Sequence, residues 1–176
     1  MKSLLTEQDI KYLLEQQERL DADIRKGHGI SDEEWQLMDN AHLLALSCEI
    51  NEFFNETKAF KYWSKKMMDR QKTLEEAVDV IHFIMLIANK NHVAAFLDEF
   101  LDEYETYSKF PESINNIHDV RQVMAEVVGT LSIDNLTYIL VDLLAILDFY
   151  DFDRKQIMQA YKEKNKVNFD RLAGGY

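Results

Sequence analysis

The chain is 176 residues long, with 32 acidic against 20 basic side chains and a formal net charge of −12. That balance argues against a nucleic-acid or anionic-membrane surface, since either partner would need clustered Lys and Arg. A composition of 47% hydrophobic and 30% charged residues is globular rather than disordered, and the length suits one domain, 1–176, with a substantial core.

One proline and five glycines supply little turn chemistry for a sheet, and most segments repeat their apolar residues at helical spacing. The expectation is an all-α, single-domain bundle of about seven helices. The first covers about 6–25, with a stripe of Ile10, Leu13, Leu14, Gln17 and Leu20, and Gly27-His28-Gly29 ends it. Ser31-Asp-Glu-Glu34 is a capping box that opens a second, long helix to about Glu56. A connection over 57–71 carries Phe60-Lys61-Tyr62-Trp63, where Trp63 reads equally as core or as a wall for a ring. Thr73-Leu-Glu-Glu76 forms another capping box and starts a helix whose run 80–88 is apolar almost all round, hence buried. Further helices are expected over about 93–107, 114–131, 132–147 and 153–166, with a break at Pro111, Ser132 capping the sixth and Asp153 the seventh. Residues from about 167 to 176 read as a mobile tail.

The single Cys48 excludes an intrachain disulfide and, in its apolar helical context, reads as a small buried hydrophobe. The run 80–88 is short of membrane-spanning length, and no secretory signal pattern is visible. A soluble, cytoplasmic protein is the expectation.

Two carboxylate pairs stand out within 45–90: Glu49-x-x-Glu52 and Glu76-x-x-Asp79. Residues three apart share one helix face, so each pair points two carboxylates the same way. Glu15/Glu18 and Glu99/Asp102 have that spacing too, but in polar surroundings that read as solvated faces. The central pairs sit among apolar residues. Four carboxylates on such faces repel and resist desolvation unless cations lie between them. All-oxygen ligation suits a hard ion, above all Mg²⁺ bridging carboxylates to substrate phosphates. Asp79-x-x-His82 resembles half of a di-iron bundle motif, but Glu49-x-x-Glu52 lacks the second His that such a site needs. Glu76 has a competing role as the partner in the Thr73 capping box.

Glu49-x-x-Glu52, followed after 23 residues by Glu76-x-x-Asp79, resembles the all-α nucleoside triphosphate pyrophosphatase superfamily. Gln17-x-x-Leu20-Asp21, Phe60-Lys61-Tyr62-Trp63-Ser64, Val78-Asp79-Val80-Ile81-His82-Phe83 and the tail Lys164-Asn165-x-x-Asn168-x-x-Arg171-x-x-x-Gly175-Tyr176 narrow the likeness to the dimeric all-α dUTPases. The resemblance implies Mg²⁺-dependent cleavage of dUTP to dUMP and pyrophosphate by a homodimer. It implies that Glu49, Glu52, Glu76 and Asp79 bind the metal, with Glu49 or Glu52 also positioning the attacking water. Gln17, Asp21, Trp63, His82 and Phe83 would surround the uracil and deoxyribose. Lys61, Lys164, Asn165, Asn168, Arg171 and Tyr176 would contact sugar or phosphates. Many members of that family carry Asn where this chain has Asp21, which leaves room for another pyrimidine. Two alternatives stay open: a broader pyrophosphatase acting on dCTP or modified nucleotides, and a catalytically silent helical interaction protein.

Overall fold

Helix α4, Arg70–Asn91, is the element around which the others pack. Val78, Val80, Ile81, Ile84, Met85, Ile87 and Ala88 are buried on nearly every side of it, as an all-round apolar helix requires. It is flanked by α1 (Glu7–His28), α3 (Asp39–Thr57), α5 (Val93–Lys109), α7 (Leu136–Phe149) and α8 (Arg154–Ala173). Helix α6 (Ile117–Thr130) packs on α7, and a 3-10 turn, Ile133–Asn135, leads into α7. The computed structural model describes residues 2, 5–91, 93–109 and 114–175, and among these there is no strand. Pro111 and Tyr176 lie outside the described residues. The all-α bundle is as expected, with eight helices in place of about seven.

The additional helix comes from the segment expected to run unbroken from Ser31 to Glu56. It divides into α2 (Asp32–Gln36) and α3. The Lys90 ammonium, on the last turn of α4, explains the break: it donates to the carbonyls of Trp35 at 2.5 Å and Gln36 at 3.2 Å and pairs with Asp39 at 2.7 Å. Carbonyls engaged by a cation in this way mark a helix end.

Capping boxes close the starts of α1, α2, α6 and α8 at Thr6, Ser31, Asn116 and Asp153. The one expected at Thr73 is not formed, because α4 begins a turn earlier. Asp69 Oδ1 accepts from the amides of Gln71 and Lys72 at 3.1 and 3.2 Å, and the Thr73 hydroxyl donates back to the Asp69 carbonyl at 2.8 Å. Glu76 is thereby released from any capping role. Ser132 makes no side-chain cap either.

Two further expectations are corrected. Cys48 is exposed rather than buried, on the outer face of α3 with Leu44. The seventh predicted helix does not stop at about Lys166, since α8 stays helical to Ala173. A Lys166–Asp170 pair at 2.6 Å and Arg171 in the last turn support the added length.

Helix α8 is fastened to α1 at its start. The Arg154 guanidinium spans both oxygens of Asp9 at 2.5 and 2.7 Å, and one of those oxygens also accepts from the Thr6 amide and hydroxyl. Farther along, the buried Tyr161 hydroxyl donates to the Leu13 carbonyl at 3.2 Å. Asp9→Ala removes a cap and a bidentate ion pair together. It should cost about 2 kcal/mol, read as a fall in melting temperature of about 4–8 °C, whereas Glu7→Ala next to it should change little.

Candidate active site

The turn-by-turn register of α3 and α4 sets Glu49 against Glu76 and Asp79, with one oxygen of each lying within 4.8 Å of the others. All three are partly buried. Burial pushes the Glu49 carboxyl up to about 7, with the charges of Asp79, Glu52 and Glu76 adding to it. Burial, then Asp79 and Glu52, raises Glu76. Burial raises Asp79 as well, although Lys164 on α8 opposes it with an ion pair at 2.5 Å. Glu52 is exposed and outside the close trio, but its charge is felt by every member. An all-oxygen set that already draws in one ammonium has the chemistry of a hard-cation site.

Beside the carboxylates, α1, α4 and α8 enclose a cleft of about 390 Å³. Gln17 and Asp21 enter from α1, His82 and Phe83 from α4, and Lys164, Asn168 and Arg171 from α8; Glu49 and Asp79 also face it. Its floor is a hydrogen-bonded chain. His82 Nδ1 meets Gln17 Oε1 at 2.7 Å, and Gln17 Nε2 donates to Asp21 Oδ1 at 2.7 Å. The His82 ring lies flat on Tyr161, centroids 4.3 Å apart. Burial, followed by the Lys164 charge, pushes His82 down to about 3, so the imidazole is neutral at physiological pH. A neutral ring beside an amide oxygen carries its proton on Nδ1 and donates it. Its Nε2 is then a bare acceptor, and it is buried without a partner.

Nine of the residues singled out in the sequence therefore line one cleft, and Glu76 completes the acidic wall. Others lie elsewhere. Asn165 is buried with its amide toward Gln16 at 3.5 Å. Lys61 is tied to Asn55, and Trp63 is 65% exposed with its edge against Tyr62. Ile24 and His28 also line the cleft, although His28 reads in the sequence only as part of a helix stop. The available signal was spacing: Gln17, Asp21, Ile24 and His28 recur at four, three and four residues, which is one face of α1.

A family model described as dUTPase matches residues 9–176, nearly the whole chain. A search of the curated proteins finds no match.

The carboxylate trio makes a prediction about the metal-free protein. The folded pKa of Glu49 lies above the unfolded value, so its destabilising effect accrues as pH rises from about 4.5 to about 7 and is complete above that. Glu49→Gln should therefore raise the melting temperature in chelator at pH 8, by about 2–5 °C. At pH 5, where most of the penalty is absent, the gain should be several-fold smaller. Equal gains at both pH values would mean that charge is not the cause.

Proposed function

This chain belongs to the dUTPase family, and we propose that it hydrolyses dUTP to dUMP and pyrophosphate with Mg²⁺ held by Glu49, Glu52, Glu76 and Asp79. The observation that carries the metal assignment is the trio of carboxylate oxygens within 4.8 Å, raised in pKa and already attended by Lys164. Mg²⁺ bound there would neutralise phosphate charge and acidify a coordinated water. The protein's own groups do the rest. Glu49 or Glu52 orients the attacking water and accepts its proton. Lys164, Asn168 and Arg171 line up along one face of α8 to meet the phosphates, which is positioning and charge neutralisation rather than covalent chemistry. Phe83 and the apolar Leu20, Ile24 and Leu86 would pack the base and deoxyribose, with Gln17 and His82 offering donors and acceptors.

A homodimer is part of the same proposal. Leu37 and Leu44 are 85% and 67% exposed at and after the start of α3, and Tyr62 and Met67 are 83% and 87% exposed in the connection to α4. Apolar groups so placed are suited to burial against a second copy. The exposed, unpaired Cys48 fits a reducing compartment, the cytoplasm; no described helix is long and apolar enough to cross a membrane.

Pyrophosphate release from a panel of nucleotides tests the reading. dUTP with Mg²⁺ should be turned over, and chelator should abolish the activity. Glu49→Gln, Glu52→Gln, Glu76→Gln and Asp79→Asn should each cut turnover by about 100-fold or more with the helical circular dichroism retained, while Glu15→Gln behaves as wild type. Near-normal turnover in any two of the four would put the site elsewhere. Truncation after Val167 removes Asn168, Arg171 and Leu172 from the cleft. It should lower turnover about tenfold with little effect on melting.

A further inference from the structure

Asp21 is a carboxylic acid in an unusual position. It is 5% exposed on α1, it faces the cleft, and its hydrogen bond is from a neutral amide, Gln17 Nε2 at 2.7 Å. Among the described residues no cation is within ion-pair distance of it. Arg25, one turn on, is engaged with Asp32 at 2.9 Å and lies over the Trp35 ring. On α4, Lys90 is bound to Asp39 and His82 is neutral. On α8, Lys164 is bound to Asp79, Arg171 faces the same cleft, and Tyr161 donates to Leu13. The remaining charged neighbours are acidic: Glu18 on its own helix, and Glu49 of α3 and Asp79 of α4 across the cleft. His28 sits exposed at the rim.

Building on the dUTPase reading, we propose that Asp21 sets base preference by working as a neutral acid that donates its proton to a carbonyl of the pyrimidine. In the ionised form it can only accept, which favours a 4-amino pyrimidine.

The polarity of the hydrogen-bonded chain supports this. His82 donates to Gln17, and Gln17 donates to Asp21 Oδ1. Because Oδ1 is an acceptor, the proton of the neutral acid belongs on Oδ2, which makes no bond to the protein among the described residues. The cleft wall then offers a donor from Asp21, an acceptor from the unpartnered His82 Nε2, and the second N–H of Gln17. The 4-carbonyl acceptor and the N3–H donor of uracil match a neutral Asp21 and a bare His82 Nε2. Cytosine presents an amino donor and a ring-nitrogen acceptor in place of these two, so it leaves buried groups unpaired. Burial lifts the Asp21 carboxyl to about 7; Gln17 and Arg25 oppose the rise and Glu18 adds to it. A base that displaces water would favour the neutral form further.

The test is the affinity of full-length protein for dUMP and for dCMP, by calorimetry from about pH 6 to about pH 8.5. Both ligands carry the same titrating phosphate, so their ratio isolates the base. The dUMP preference should fall by about tenfold or more between the ends of that range, and in Asp21→Asn it should stay constant. Wild-type protein should also take up more protons with dUMP than with dCMP near pH 8, measured in two buffers of different ionisation enthalpy; this arm needs no variant. A flat ratio with equal proton uptake, or the same slope in Asp21→Asn, overturns the proposal while leaving the dUTPase reading intact. Binding of neither nucleotide at any pH, with no pyrophosphate released from dUTP, overturns both.

Discussion

Like charges held within 4.8 Å on half-buried helix faces repel, and the rest of the site is arranged around that repulsion. The faces of Glu49, Glu76 and Asp79 are dictated by the packing of α3 on α4, whose apolar contacts are far more extensive than the acidic patch. Core burial thus forces the carboxylates together, and the raised pKa values record the resistance. Lys164 relieves it in part from across the cleft. A cation site of the kind proposed would select for charge density. It has no sulfur or ring nitrogen among its close ligands, and it is open toward the basic face of α8.

The proposed base recognition rests on burial of the opposite kind. Gln17, Asp21 and His82 are polar groups 3%, 5% and 5% exposed, and they meet much of their hydrogen-bonding need from one another. What they leave unmet is therefore limited and directional. A buried wall with a few unpaired groups discriminates strongly, because the wrong ligand fails to pair them while still excluding water. The flat contact of His82 on Tyr161 fixes the ring plane, and Tyr161 is anchored in turn to Leu13 on α1.

Much of this was legible in the chain. The acid pairs declared themselves by spacing and apolar context, because helix periodicity converts sequence intervals into shared faces. Spacing gives the face but not the depth, so Glu52 looked equivalent to Glu49 although it reaches solvent. The expected cap at Thr73 gave way to Asp69 at the start of α4, because the earlier start adds a turn of backbone bonds. The break at Met38 could not be read locally, since its cause, Lys90, lies 55 residues from Trp35 in sequence. The end of α8 was missed for a different reason. Lys164, Asn168 and Arg171 recur at helical spacing, but polar residues lining a cleft do not register as an apolar stripe.

That last point bears on how the cleft exists at all. Helix α1 presents Gln17, Asp21, Ile24 and His28, and α8 presents Lys164, Asn168, Arg171 and Leu172, so the seam between them is mixed where the seam of α3 on α4 is apolar. Toward the start of α8 the two helices are joined by the Asp9–Arg154 pair and by Tyr161 on Leu13. Toward its end they border the cleft, where Asn165 reaches Gln16 on α1 and Lys164 crosses to Asp79 on α4. A helix fastened at one end by these contacts and tied at the other by an ion pair responds to charge at that far end. Anything that competes for Asp79, or for Lys164, acts on an ion pair that joins α8 to the acidic wall.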